Sequence, residues 1–131
     1  MRYMFLVYTR EGEMSPEEMA EVVAGHRAVM AETMRQGIFQ GASPLQPIAT
    51  ATTVRHENGR VLVTDGPFAE TKEQLGGYYV LECKDLDEAI EWAKKIPTKC
   101  QGRQGCIEVR PLHDVSEMQQ GIRDSLVAHH A

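Results

Sequence analysis

The run Tyr3-Met4-Phe5-Leu6-Val7-Tyr8 is apolar at every position, and that limits the folds open to the chain. Successive side chains of a strand point to opposite faces, so Tyr3, Phe5 and Val7 face one way and Met4, Leu6 and Tyr8 the other. A strand with one wet face alternates apolar and polar residues. This one predicts burial on both faces, and Tyr78 to Leu81 repeats the pattern. Two helices cover only one face of such a sheet. The other needs a second apolar surface, and a second copy of the chain is the economical candidate. The expectation is a homodimer with its sheets packed face to face.

The rest of the chain supplies two such helices. Ser15-Pro16-Glu17-Glu18 combines an N-cap, a proline at the first helical position and a capping-box glutamate. It predicts a helix running to about Gln36, stopped by Gly37, with Met19, Val22, Val23, Met30 and Met34 as its apolar stripe. Extended segments follow. One covers residues 38–42, ended by Ser43-Pro44 and Pro47. Thr52 to His56 and Arg60 to Thr64 flank Glu57-Asn58-Gly59, in which Asn-Gly is a strong hairpin signal. Tyr78 to Cys83 is another strand. Asp85-Leu86-Asp87-Glu88 opens a second helix, with Leu86, Ala89, Ile90, Ala93 and Ile96 on one side and Pro97 at its end. Cys106 to Arg110 is the last strand. The order β-α-β-β-β-β-α-β predicts an α+β, ferredoxin-like sandwich of two helices on a largely antiparallel sheet, spanning residues 1–112. In the tail, residues 113–131, Val115, Met118, Ile122 and Leu126 describe a weak amphipathic helix capped near Asp114 or Ser116. It either docks on a partner subunit or stays partly disordered.

Composition narrows the function classes. A chain of 131 residues is one domain by length and buries roughly two-thirds of its extended surface. Nineteen acidic against fourteen basic residues argue against direct nucleic-acid or anionic-membrane binding, both of which need a concentrated positive field. A small anion held by one or two arginines remains open. Cys83, Cys100 and Cys106 are odd in number and lack paired zinc spacing, so reduced thiols, no disulfide framework and no metal are expected. The first apolar run is too short for a signal peptide or a membrane span. A cytoplasmic protein is expected.

Candidate site residues are few. His26 falls on the apolar stripe of the first helix, between Val23 and Met30. There it is either a partly buried core histidine or an imidazole facing a pocket, where titration near neutral pH suits proton transfer. Asp65 opens the turn Asp65-Gly66-Pro67-Phe68, a set of turn formers. Yet a loop that buries Phe68 and presents a carboxylate at a strand end resembles a pocket wall. Three destinations are open to that carboxylate: His26, whose ring it would orient; an arginine, Arg55 or Arg110; or its own backbone. Arg55 and Arg110, borne on strands, suit an anion anchor or a solvated surface equally in kind. Gly76-Gly77 lacks the spacing of a phosphate loop. Trp92 and the methionines of the first helix are expected in the core or at its rim.

Together these segments carry a resemblance. TTVR (Thr52 to Arg55), TDGPFAETKEQLGGYYVL (Thr64 to Leu81), LDEAIEWAKKIP (Leu86 to Pro97) and IEVRP (Ile107 to Pro111) resemble the YCII-related proteins of the DGPF type, over about Met1 to Leu112. The resemblance implies a dimeric α/β barrel. It also implies a histidine and an aspartate sharing a pocket near the dimer interface, with His26 and Asp65 as counterparts, and an association with sigma factors; no cofactor is expected. The leading expectation is a small acid–base enzyme acting on a small polar molecule. His26 would be the proton carrier, Asp65 its orienter, and Arg55, Phe68 and Arg110 the ligand-binding residues. The alternatives are a non-catalytic small-ligand-binding or regulatory dimer, and a motif that serves folding and dimerisation alone.

Overall fold

The computed structural model describes residues 1–98 and 105–130. In chain order they form β1 (Arg2–Thr9), α1 (Pro16–Arg35), β2 (Phe39–Pro44), β3 (Thr52–Glu57), β4 (Arg60–Asp65), β5 (Gln74–Glu82), α2 (Leu86–Ala93), β6 (Gly105–Pro111) and α3 (Ser116–His130), with a 3-10 turn at Ile48–Thr50. This is the expected α+β order with the tail helix added. Four strands form an antiparallel sheet in the ferredoxin-like order β2-β5-β1-β6.

The helix boundaries follow local chemistry. Ser15 Oγ accepts from the Glu18 amide at 3.1 Å, with Pro16 at the first helical position. At the other end Gly37 has φ 73°. The Gly37 and Ile38 amides donate to the carbonyls of Met34 and Thr33, each at 3.0 Å, which is a Schellman closure. Asp85 Oδ1 accepts from the Glu88 amide at 2.9 Å and starts α2. Asp114 Oδ1 accepts from the Ser116 amide at 3.0 Å at the start of α3. Asn58 and Gly59, with φ 50° and 75°, make the tight turn that joins β3 to β4.

One face of the sheet carries Tyr3, Phe5, Val7, Tyr79 and Leu81. They are buried in one cluster with Val29 of α1, Ala89 and Trp92 of α2, and Ile96. Leu86 and Ile90, expected on the packed side of α2, are exposed instead. Trp92 takes that space, and a bulky ring there sets the rotation of the helix. On the opposite face Met4, Leu6, Tyr8, Tyr78 and Val80 are half-buried.

The hairpin of β3 and β4 is not part of the four-stranded sheet. It pairs only with itself and stands as an arm with every residue of β4 exposed. Pro44 and Pro47 mark the exit from β2 and carry no N–H for a ladder, so the sheet does not continue into β3. The single sheet expected from the sequence is therefore a sheet and an arm.

Gly77 in β5 lies where an added Cβ would stand 2.9 Å from the Ser43 carbonyl oxygen and 3.2 Å from Pro44 Cα. Both are backbone atoms of β2 and cannot swing aside. Gly77→Ala should lower stability by about 1–3 kcal/mol, the usual cost of overpacking. Gly121→Ala in α3, where nothing lies within 4 Å, should add helix stability of about 1 kcal/mol. Denaturant titration of both variants checks the pair.

Candidate functional site

Met19, Val22, Val23, His26 and Met30 share one side of α1 through spacings of three and four residues. The end of this helix nearer its C-terminus is packed tightly. Val29 is buried and Thr33 has no exposed surface, its hydroxyl donating to the Val29 carbonyl at 2.8 Å. Towards the N-terminus the packing opens, and Met19 and Val23 are nearly half exposed. The sheet has little to offer them. Its floor here is Gly76 and Gly77, with Pro44 of β2 opposite Gly77 and Ala42 opposite Tyr79. The result is a cavity of about 490 Å³ between α1 and the sheet, within the range of about 300–1,000 Å³ typical of small-molecule sites. The methionines of α1 were expected in the core or at its rim, and Met30 does pack against the core. Two of them, Met19 and Met30, line this cavity, and Met34 is exposed.

His26 projects from α1 into the cavity wall opposite Tyr79 of β5. Its Nδ1 lies 2.6 Å from the Tyr79 hydroxyl oxygen, and the two rings are stacked with centroids 5.8 Å apart and planes at 20°. The other ring nitrogen, Nε2, has no hydrogen-bond partner among the described residues. No buried side-chain nitrogen or oxygen among them is unpartnered, so Nε2 reaches open space. Burial lowers the His26 pKa from its ordinary value of 6.5, because a cation is poorly solvated there. Burial also pushes the Tyr79 phenol up to about 12. At neutral pH both groups are uncharged, and one proton lies between them.

Tyr79 was not among the candidates read from the sequence. A signal existed, because a buried tyrosine hydroxyl requires a partner and a histidine on the facing helix is a natural one. What the sequence lacked was the rotation of α1 over β5.

The remaining candidates lie elsewhere in the protomer. Asp65, Arg55, Phe68 and Arg110 are absent from the lining of the His26 cavity. Asp65 ends β4 on the arm, opposite Thr52. Its carboxylate takes none of the three expected destinations within the protomer, since it forms no side-chain hydrogen bond or ion pair among the described residues. The ring nitrogen it was to orient is held by Tyr79 instead. Gly66 follows with φ 98°, a conformation glycine adopts without strain. The turn is tied to β3 by Gly66 N–H to the Ala51 carbonyl at 2.7 Å and by the Thr53 hydroxyl to the Gly66 carbonyl at 2.7 Å. Arg55 adds a guanidinium hydrogen bond to the Phe68 carbonyl at 2.8 Å. Phe68, expected to be buried, is 76% exposed, because the arm holds it clear of the core. Arg110 faces Met4 across β6 and β1, on the sheet face away from the helices.

Neither described thiol is activated as a nucleophile. Cys83 is buried with its pKa pushed up to about 11, by burial first and then by Glu88. Cys106 is exposed with its thiol 3.5 Å from Glu73 Oε2, and its pKa is raised by desolvation and that carboxylate. Cys100 lies outside the described residues. Among the described residues no three His, Cys, Asp or Glu side chains gather as metal ligands, and no helix is long and apolar enough to cross a membrane.

The described residues thus form a two-layer α+β domain with an imidazole–phenol pair on the wall of a largely apolar cavity. The chain is a member of the YCII-related family, whose domain model matches residues 1–116. It is similar to an uncharacterised protein of Rhizobium meliloti (strain 1021), with 39% identity over 115 residues, covering 86% of this chain and 92% of that one.

Burial of His26 has a consequence for stability. Above pH 6.5 the ring is neutral in both the folded and unfolded chains and contributes no pH dependence. As pH falls below 6.5 the unfolded chain takes up its proton first, so stability drops until the folded-state pKa is also passed. Lowering the pH from 7.5 to 5 should therefore reduce the melting temperature more in the wild type than in His26→Gln. Parallel slopes in the two proteins would contradict the burial effect.

Proposed function

We propose that the protein is a small acid–base enzyme acting on a small molecule held between α1 and the sheet, with His26 as the proton carrier. The observation that carries this reading is the 2.6 Å contact of His26 Nδ1 with the Tyr79 hydroxyl, in a cavity that leaves Nε2 free. A ring held at one nitrogen presents the other in a fixed direction, which general acid–base catalysis requires. Burial keeps the imidazole neutral near pH 7, and in the tautomer whose Nδ1–H donates to the Tyr79 hydroxyl oxygen, Nε2 is the base. The tyrosine hydroxyl both donates and accepts. It can therefore stay bonded to Nδ1 whether the ring is neutral or has taken a proton. Tyr79 replaces Asp65 as the orienting group within the protomer.

The enzyme works as a face-to-face dimer in this reading, forming the dimeric α/β barrel. Support comes from the half-buried apolar face of Met4, Leu6, Tyr8, Tyr78 and Val80, which no helix of α1 or α2 covers. The arm adds to it. Val54, Val61 and Val63 are exposed and share one arm face with Asp65. Seated on a partner, that strip would carry Asp65 into the interface. Sedimentation at micromolar concentration should give twice the chain mass; a monomer would remove this part of the reading.

Turnover is tested by solvent-deuterium exchange into a panel of enolisable carbonyl compounds. For any compound that exchanges, His26→Gln should reduce the rate by about 10²–10⁴-fold, the usual worth of a positioned acid–base group. Tyr79→Phe, which loosens the ring without removing it, should cost less. Undiminished exchange in His26→Gln would overturn the mechanism.

A second reading, a ligand-responsive regulatory dimer of the kind that engages sigma factors, is favoured by α3, where Met118, Ile122 and Leu126 are exposed on one side. Ligand binding without chemical change, together with loss of a protein partner on removing residues 113–131, would support it over the enzyme.

A further inference from the structure

The wall around the His26–Tyr79 pair is chemically one-sided. Met14, Met19 and Met30 line it with Val22, Val23 and Leu45. Although acidic residues outnumber basic ones nineteen to fourteen in the chain, no aspartate or glutamate lines the cavity among the described residues. Arg27 is the one permanent charge on that wall among the described residues. It follows His26 on α1, is exposed, and forms no ion pair among the described residues. Thr9, Ser43, Tyr78 and Thr98 are the other residues with polar side chains in the described lining, and none is a carboxylate or a lysine or arginine cation.

This combination selects a ligand. A polyhydroxylated or multiply charged molecule would leave polar groups unpaired against methionine and valine, at a cost in desolvation. A purely apolar molecule would leave Arg27 and His26 Nε2 unused. Methionine side chains are flexible and polarisable, and they adapt to flat or irregular apolar bodies. A guanidinium is weakly hydrated and matches a carboxylate through two parallel hydrogen bonds.

We infer that the ligand is an amphiphilic monoanion with an apolar, ring-sized body that packs among the methionines. A single carboxylate or equivalent acidic oxygen lies at Arg27, and one hydrogen-bonding group meets His26 Nε2. This rests on the reading of the cavity as the site of proton transfer, and it narrows the small polar molecule of the sequence reading to one with an apolar body. Arg27 takes the part of anion anchor that the sequence reading gave to Arg55 or Arg110, because it is the arginine on the cavity wall. It recognises charge and takes no proton.

The test uses three probes on the full chain: naphthalene-2-carboxylate, its neutral carboxamide, and citrate. Binding is followed by calorimetry and by the ¹⁵N resonances of the His26 ring. The carboxylate should bind about tenfold more tightly than the carboxamide, in keeping with a charge-assisted pair, and should shift the Nε2 resonance. Citrate should bind far more weakly than either. Arg27→Gln should bring the carboxylate down to the level of the carboxamide and leave the carboxamide unchanged. The inference is overturned if citrate binds as well as the naphthoate, if Arg27→Gln leaves the ratio intact, or if neither naphthalene probe moves the His26 resonances. Titration of the same ring without probe separates the two readings. A lowered His26 pKa with no response to the naphthalene probes removes the ligand class alone, whereas an ordinary imidazole titration removes the neutral, buried proton carrier on which it rests.

Discussion

β1 is one of the two inner strands of the sheet, with β5 on one side and β6 on the other, and the site depends on the register of those ladders. Phe5 stands opposite Tyr79 and Tyr3 opposite Leu81. Phe5 and Leu81 are fully buried, and burial of such side chains contributes about 1.5–3 kcal/mol each. A slip of one residue would send all of them to the other face. The start of the strand is clamped as well. The N-terminal ammonium reaches Glu82 Oε1 at 2.7 Å and the Cys83 carbonyl at 3.1 Å, and the Leu112 amide donates to the Arg2 carbonyl at 2.9 Å. Once Phe5 is in the core opposite Tyr79, the tyrosine hydroxyl can only lie under α1, within reach of His26.

The cavity and the paired rings have a common origin. Gly76 and Gly77 leave β5 without side chains just before Tyr79, so the helix above meets no bulk over that stretch and the packing stops short. The close approach that excludes a side chain at Gly77 comes from the Ser43 and Pro44 backbone, which also brings β2 to the cavity edge. There partial burial acts on both rings in the same sense: the imidazole loses basicity and the phenol loses acidity. Neither carries charge at rest, which suits a methionine-lined wall. A proton arriving at Nε2 would create a cation with a tyrosine oxygen as its nearest acceptor, and a ligand anion at Arg27 would lie on the same wall to balance it.

Local signals in the sequence were sufficient for the elements and for their order. Ser15-Pro16, Gly37, Asn58-Gly59 and Asp85 each act through chemistry within a few residues, so capping and turn rules locate them. The two-sided apolar pattern of β1 likewise placed Tyr3, Phe5 and Val7 together. His26 was identifiable because a titratable residue on an apolar stripe is conspicuous. Three features escaped for a shared reason: Tyr79 as its partner, Arg27 at the cavity wall, and the detachment of the β3–β4 arm from the sheet. Each depends on long-range placement, whether the rotation of α1 over β5 or the path of the chain past Pro44 and Pro47. The reading of Leu86 and Ile90 as buried failed similarly, since helical spacing permits several faces and the bulk of Trp92 selected another.

Asp65-Gly66-Pro67-Phe68 carries the resemblance to the DGPF type, yet within the protomer its polar contacts all run from the turn to β3. The amide and carbonyl of Gly66 and the carbonyl of Phe68 are each held, while the Asp65 carboxylate and the Phe68 ring face outward. A carboxylate in water needs no partner. The same carboxylate at the end of the Val54, Val61 and Val63 strip would need one as soon as that strip was covered, because an ionised group buried without a cation or donor is costly. A surface that covered the whole strip, Asp65 included, would have to offer that carboxylate a donor or a cation. Within the protomer that carboxylate does not reach the His26 cavity, and Phe68 is exposed in the turn that follows it.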